Sequence, residues 1–291
     1  VESIGMLASG MLLLGLSLSR KGSMHRISSL GWPLVGLGFF LMADGYWQDG
    51  DPVLTVMLSA ALPASFGLAW WEWKAEDARD VSAGEEIDRL SAIWPGLRAM
   101  QCALSVDSFQ LETQKWALAQ GVDWLNDING FCDPQMHELL ADASCGLVVM
   151  HAIQAKGIAT RAAPPDGDIW EHILAFFEAR LEALARAGVD PSRCVLDPGM
   201  GFFLGNRPET SWVVLRHIDR LKKAYGLPVL LSVSRKSFLR ALVDCPPDAA
   251  GPASLSAELF AARQRVDYIR THDVGQLDQA LKVAVHLNRF L

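Results

Sequence analysis

From Ala103 onward, short β-branched or apolar runs alternate with helical patterns six times, and that alternation restricts the chain to an α/β architecture built on a parallel sheet. The predicted strands are Ala103–Phe109, Asp123–Asn129, Gly146–His151, Cys194–Pro198, Pro228–Ser234 and Tyr268–His272. Predicted helices follow them at Leu111–Ala119, Pro134–Ala141, Ile169–Ala187, Glu209–Tyr225, Ser254–Arg263 and Val274–Arg289. Right-handed crossovers between parallel strands lead to a closed barrel or a doubly wound layer. No G-x-G-x-x-G follows a strand, which counts against dinucleotide binding.

The first quarter of the chain has a different texture. Ile4–Ser19, Ser29–Trp47 and Val53–Trp71 are nearly free of ionisable side chains, with Asp44 the exception inside them. Each approaches the roughly 20 residues that cross a bilayer core as a helix. Residues 1–74 therefore read as an apolar helical segment with three expected membrane spans, roughly residues 4–71. Arg20, Lys21 and Arg26 lie in the first connection and Asp49 and Asp51 in the second, which puts the remainder, residues 75–291, in the cytoplasm. Buried helices of a water-soluble domain are the competing reading, because Asp44 and Pro63 interrupt the runs. A cleaved signal peptide fits poorly, since no positive region precedes the first run. After it, Ser82–Leu97 is a charged amphipathic stretch.

With 26 Lys and Arg against 33 Asp and Glu, the formal net charge is -7, so a nonspecific grip on nucleic acid is not expected and any anion site must be local. Cys102, Cys132, Cys145, Cys194 and Cys245 show no C-x-x-C spacing. Reduced cytosolic thiols are the reading that follows, with neither a zinc site nor a disulfide framework.

Chemistry gathers where the predicted strands end, which is where a (β/α)8 barrel places its active site. Asp107 ends the first strand, Asn126 and Asp127 lie in the second, Met150-His151 end the third, and Asp197 ends the fourth. Ser234-Arg235-Lys236 end the fifth, and Arg270 with His272 the last. Asp107, Asn126 and Asp197 suit a flat heterocycle that presents N–H donors along one edge. Lys236 complements a ring carbonyl or nitrogen, while Arg270 and His272 suit a phosphate or pyrophosphate. Ser237 opens a helix, whose N-terminus favours a second anion such as a carboxylate. Asp197-Pro-Gly-Met-Gly201 fixes a tight loop after its strand.

Structural readings stand beside these. Asp127 is equally a turn former, His151 reads better as a satisfied interior histidine, and Arg235 as a brace for carboxylates. His25, His137, His172, His217 and His286 lack metal-ligand spacing and are treated as surface residues.

Six segments in order carry a resemblance: Ser105-Val-Asp-Ser-Phe109, Leu125-Asn-Asp-Ile-Asn-Gly130, Val148-Val-Met-His151, Leu196-Asp-Pro-Gly-Met-Gly-Phe-Phe-Leu204, Ser232-Val-Ser-Arg-Lys-Ser-Phe-Leu239 and Ile269-Arg-Thr-His-Asp273. Together they resemble dihydropteroate synthases, over about residues 75–291, and Gly130-Phe131 with Gly199–Leu204 is similar to the sulfonamide-resistant branch. The resemblance implies a TIM barrel that joins 6-hydroxymethyl-7,8-dihydropterin pyrophosphate to p-aminobenzoate with magnesium as cofactor. It assigns Asp107, Asn126, Asp197 and Lys236 to the pterin, Met150 and Phe202 to its pocket wall, Arg270 and His272 to the pyrophosphate, and Ser237 to the p-aminobenzoate carboxylate. Asp107, Lys236 and Arg270 are the implied catalytic group. Pyrophosphate leaves first, and the arylamine nitrogen attacks the resulting pterin cation. Small-molecule substrates, no nucleic acid, a membrane through residues 4–71 and a second copy of the chain in a homodimer are the partners this reading carries.

The start of the chain departs from that pattern. The family's loop N-x-T-x-D-S-F, which serves magnesium and pyrophosphate, has no counterpart, and Asp77-Ala-Arg-Asp-Val-Ser82 matches only the tail of its second loop. A barrel without its first two βα units is therefore expected, with the apolar runs standing in their place. A pterin-binding protein without turnover is the alternative. A methyltetrahydrofolate-dependent methyltransferase is another, against which Ser234-Arg-Lys-Ser237 argues.

Overall fold

The computed structural model describes residues 39–43, 55–59 and 81–288, save 101, 155, 156, 158 and 160. Eight strands form one sheet: β1 (Phe39–Ala43), β2 (Thr55–Ser59), β3 (Ala103–Asp107), β4 (Trp124–Asp127), β5 (Gly146–Met150), β6 (Cys194–Asp197), β7 (Leu230–Leu231) and β8 (Tyr268–Thr271). Their lateral order is β6-β5-β4-β3-β1-β2-β8-β7. The two outer members meet as well, through a parallel bridge between Leu196 and Val229 and a 2.9 Å bond from Leu196 N–H to the Pro228 carbonyl. The sheet thus closes into a barrel, and closure removes the exposed edges that an open sheet would carry.

The closure corrects two expectations. Phe39–Ala43 and Thr55–Ser59 lie inside the second and third runs read as membrane helices, yet they are strands, paired antiparallel to each other from Phe40↔Ser59 to Ala43↔Val56. β1 also pairs antiparallel with β3, and β2 parallel with β8. The places of the two missing units are therefore filled by a strand pair, and β1 runs against both its neighbours where a TIM barrel has parallel strands throughout. An all-apolar run carries no period that separates a buried strand from a helix. The unpaired edges of β3 and β8 supply the backbone partners that decide it. Among the described residues no helix is long and apolar enough to cross a membrane. The first expected span, Ile4–Ser19, and the rest of the other two lie outside the described residues.

The helices on the outside are α1 (Ala83–Arg98), α2 (Leu111–Ala119), α3 (Pro134–Asp142), α4 (Ile169–Arg186), α5 (Pro208–Arg216), α6 (Asp219–Tyr225), α7 (Ser237–Val243), α8 (Gly251–Arg263) and α9 (Val274–Asn288). Local signals explain several starts. Ser82 accepts from Glu85 N–H ahead of α1, Asp133 from Gln135 N–H ahead of α3 and Asp168 from Trp170 N–H ahead of α4, each satisfying a donor that the first turn leaves free. The predicted helix Glu209–Tyr225 is two helices, parted at His217 and Ile218.

Two apolar cores result. The larger lies between sheet and helices and includes Leu125, Leu147, Val149, Leu196, Ile269, Trp170 and Phe177. The smaller fills the barrel interior with Val148, Val195 and Leu230, flanked by Ala103, Trp124 and Tyr268. Trp124 stacks edge-on to Tyr268 at 5.9 Å between ring centroids. Gly146 makes room for Trp124, since an added Cβ would collide with its ring. The strand starts are stapled by acids: Asp123 accepts from Leu104 N–H at 2.8 Å and Asp267 from Val229 N–H at 2.9 Å. With one end plugged by aromatics, polar side chains pointing inward are left to the other end.

Candidate active site

That other end is the rim where β3, β4, β5, β6 and β8 finish. Pairing puts Asp107 opposite Asn126 and Met150 opposite Asp197. Because side chains alternate across a strand, these four share the inward face with Arg270, two positions after the interior Tyr268.

Arg270 donates to Asp107 Oδ2 across 3.2 Å, with both side chains mostly buried. Burial pushes the Asp107 carboxyl up, while Arg270, Asn126 and Lys236 favour its charged form. Asn126 faces it with an Nδ2 that is buried without a well-formed hydrogen bond. A buried amide N–H that is not fully satisfied inside a polar rim is a place for a ligand acceptor. Asp197 receives a 2.8 Å bond from Gly199 N–H. Burial still lifts it to about 6, against the pull of that bond, Lys236 and Arg270. Burial lowers Lys236 to about 8, helped by the charge of Arg270 and opposed by Asp197 and Asp107. Its Nζ sits 5.2 Å from the centre of the Phe203 ring, a cation–π distance. Two carboxylates and two cations thus share one small basin, each kept near balance by the others.

The loop after β7 supplies the next groups. Arg235 takes a left-handed φ of 58°, and its N–H is held by Ser254 Oγ of α8 at 2.9 Å. Lys236 occupies the N-cap position of α7, so Ser237 is that helix's first residue. His272 Nδ1 lies 2.9 Å from Ser234 Oγ, which also accepts its backbone N–H at 3.2 Å. Burial, then the charges of Arg235, Arg270 and Lys236, lower His272 to about 4. It is a neutral ring at pH 7.

A third loop follows Asp197. Gly199 has φ 70°, and a Cβ there would strike the His151 carbonyl oxygen. His151 is wholly buried, with Nδ1 2.9 Å from the Pro198 carbonyl and Nε2 2.9 Å from His172 Nδ1. A carbonyl only accepts, so Nδ1 of His151 carries the proton, its Nε2 accepts, and His172 Nδ1–H donates. His151 is the interior tether of the Asp197 loop. Asp127 is likewise structural: Oδ1 accepts from Asn129 N–H at 2.7 Å, and Oδ2 from Phe131 N–H at 3.1 Å and Gln114 Nε2 at 3.0 Å. These bonds hold Phe131 at φ 58°.

A sequence model described as pterin binding enzyme matches residues 72–272, more than half of the chain. The chain belongs to the pterin binding enzyme family. Among its relatives, dihydropteroate synthase type-1 of Escherichia coli is 50% identical over 216 residues, 74% of this chain and 77% of that protein. Dihydropteroate synthase type-2 of Escherichia coli is 51% identical over 211 residues, 72% of this chain and 78% of the relative. Among solved structures, the Xanthomonas albilineans dihydropteroate synthase in complex with 7,8-dihydropteroate superposes with a TM-score of 0.65 at 29% identity, covering 77% of this chain and 86% of that one.

In this pterin binding enzyme, Asp107, Asn126, Met150, Asp197, Lys236, Arg270 and His272 converge on one rim. Phe202 lies to the side, partly exposed, with the Arg161 guanidinium 5.3 Å from its ring centre. Ser237 approaches Gly201, where an added Cβ would stand 3.4 Å from its Oγ. Among the described residues Arg235 forms no salt bridge with a carboxylate, and its charge acts on His272. Two of the histidines expected at the surface are half-buried: His172 on His151, and His137 with Nε2 2.8 Å from the Phe131 carbonyl. Residues that sequence reasoning passed over are Ser254 and Glu258, both buried on α8 beneath the Ser234 loop. Their spacing of four in a helix is the one signal they carry, since it sets both on one face. As for magnesium, among the described residues no group of three or more His, Cys, Asp or Glu could hold a metal ion.

Proposed function

We propose that the chain is a dihydropteroate synthase, a transferase of folate biosynthesis that condenses 6-hydroxymethyl-7,8-dihydropterin pyrophosphate with p-aminobenzoate. The observation that carries this reading is the convergence of Asp107, Asn126, Asp197 and Lys236 with Arg270 and His272 at one barrel mouth, in a chain half identical to proteins of that name.

The rim chemistry supports it. Asn126 Nδ2 is placed to meet a ring acceptor, and Asp197, lifted to about 6 by burial, is mostly a carboxylate at pH 7 and is held as one by ring N–H groups that donate to it. Lys236, lowered to about 8, remains a cation at pH 7 and donates to a ring carbonyl or nitrogen. Arg270 and His272 face the leaving pyrophosphate. The C–O bond to pyrophosphate breaks with its electron pair going to the leaving oxygen, and the arylamine nitrogen then bonds to the exposed carbon and loses a proton. Charge separates in that step, and fixed donors aimed at the departing anion are what lowers its barrier. Ser237 at the start of α7 takes the p-aminobenzoate carboxylate in this reading. The described residues do not form a magnesium cage, so no step is assigned to the ion. A cytoplasmic catalytic part and insensitivity to sulfonamides belong to the same proposal, the second on the wording of Gly199–Leu204.

Assaying dihydropteroate formation with the full-length chain tests the reading, with and without a sulfonamide. Product is expected, and Lys236→Ala is expected to weaken pterin binding by about tenfold or more, one lost charge-assisted hydrogen bond. One observation favours a second reading, a pterin-binding protein without turnover: β1 and β2 stand where the family's N-x-T-x-D-S-F loop belongs. Pterin binding with no product formed would decide for it.

A further inference from the structure

We propose that Glu258 is a positioning residue whose own proton fixes the His272 ring with Nε2–H turned to the anion. The inference rests on the assignment of His272 to pyrophosphate and adds a group that no strand end contains.

Glu258 is 2% exposed, on the face of α8 that also carries Ser254. Its carboxyl meets the hydroxyls of Thr271 and Ser234, while Oε1 has no hydrogen-bond partner among the described residues. Ionising a buried carboxylate with one bare oxygen is costly. Burial accordingly lifts it to about 7; the Thr271 and Ser234 hydroxyls oppose the rise and the charge of Asp273 adds to it.

Ser234 Oγ stands between Glu258 and His272 and owns one proton and two lone pairs. One lone pair takes the His272 backbone N–H, at 3.2 Å. With Glu258 protonated, its O–H donates to Ser234, the serine hydroxyl donates to His272 Nδ1, and the ring proton must sit on Nε2. A donor then faces the pyrophosphate beside Arg270, Lys236 and Arg235, the charged groups around the ring. With Glu258 ionised, Ser234 donates to the carboxylate instead. His272 Nδ1 must then keep the proton to bond Ser234 Oγ across 2.9 Å, which leaves a bare Nε2 lone pair against the anion. One proton on α8 therefore sets donor or acceptor at the mouth.

The test is imidazole nitrogen NMR of the full chain at pH 6 and pH 8.5, with inorganic pyrophosphate titrated in parallel. Wild type is expected to hold the His272 Nε2–H form at pH 6 and shift to Nδ1–H at pH 8.5. Glu258→Gln offers a permanent N–H in place of the acid proton, so it is expected to hold Nε2–H at both. The ratio of pyrophosphate affinities, Glu258→Gln over wild type, is expected to rise about tenfold between the two pH values, one charge-assisted hydrogen bond; the ratio cancels the titration of pyrophosphate itself. Glu258→Leu offers the Ser234 hydroxyl no carboxylate to donate to, so it is expected to lose the pH dependence of the tautomer, and if it fails to fold, the wild-type and glutamine pair suffices. One tautomer at both pH values in wild type, or an unchanging affinity ratio, would overturn the proposal. The tautomer is read without turnover, so a chain that makes no dihydropteroate still answers the question.

Discussion

Arg270 Nη2 reaches Asp107 Oδ2 at 3.2 Å, joining residues 163 positions apart in sequence. Since β3 and β8 flank the β1–β2 pair on either side, this contact ties the barrel across the strands that fill its gap. Asp107→Asn removes the charge from one side and leaves a buried guanidinium. The expected cost stays below the roughly 3–5 kcal/mol of a severed isolated pair, because Asp197 also faces Arg270. Urea unfolding of Asp107→Asn, Arg270→Met and the double variant checks this. The double variant is expected to be less destabilised than the sum of the two single ones, and strict additivity would mean that the pair is not coupled.

Gly199 and Gly226 share a left-handed backbone, with φ of 70° and 65°. Gly226 has open space where a Cβ would go, whereas at Gly199 the His151 carbonyl occupies it. Gly226→Ala is expected to cost about 1 kcal/mol, the conformational penalty alone. Gly199→Ala must also push the loop away from His151, which carries off the N–H that anchors Asp197. A larger loss of stability, together with loss of pterin binding, is expected there. Urea midpoints and a pterin titration on the two variants, side by side, separate backbone strain from site damage.

Asp107, Asn126, Asp197, Lys236 and Arg270 are legible in the sequence because strand ends face one rim in any parallel barrel, so their position in the chain implies their position in space. Phe39–Ala43 and Thr55–Ser59 are not legible, since an unbroken apolar run suits a helix, a membrane span or a buried strand equally. What selects the strand is the pairing with β3 and β8, which are distant in sequence. Glu258 is hidden for another reason. It sits in mid-helix between Ala257 and Leu259, and its meaning arises only where α8 packs beneath Ser234. The break at His217 and Ile218 contains neither Gly nor Pro, so nothing local announces it.

Asp127 separates structure from function at the same rim. Both its oxygens accept bonds, Oδ2 from two donors, Phe131 N–H and Gln114 Nε2. Asp127→Asn puts an NH2 group against two N–H groups or turns the same conflict toward Asn129. Each donor left unpaired in the interior costs about 1–3 kcal/mol, so the variant is expected to lose at least that much in urea unfolding. Pterin affinity per folded molecule is expected to hold, because Asp127 reaches no further than its own loop and α2. A pterin Kd raised tenfold in a stably folded Asp127→Asn would make it a ligand residue after all.

His151 gives the fold a pH dependence of defined sign. Its ring is lowered to about 4, chiefly by burial, with the Pro198 carbonyl opposing and the charge of His172 adding to the effect. The unfolded histidine binds its proton below about 6.5. Between those values the unfolded state holds more protons, so the His151 contribution to stability is intact above about 6.5 and lost as pH falls toward 4. Asp127 and Asp197, each raised to about 6, act the other way: the folded state binds more protons through that range, and their effect on stability becomes less favourable as pH rises. These opposed effects overlap in the wild type, and a variant is needed to expose the histidine. In His151→Asn the Nδ2 group takes the place of Nδ1–H toward Pro198, and no proton is gained on acidification. At pH 7 the variant is expected to be the less stable, having lost the ring and its bond to His172. By pH 5 the gap is expected to narrow by about 2 kcal/mol, the linkage for a histidine kept neutral through that interval. Urea unfolding of both proteins at pH 7, 6 and 5 measures the gap directly. A gap that stays constant would mean that His151 takes up its proton in the folded protein, and the tether to Pro198 would then not depend on a neutral ring.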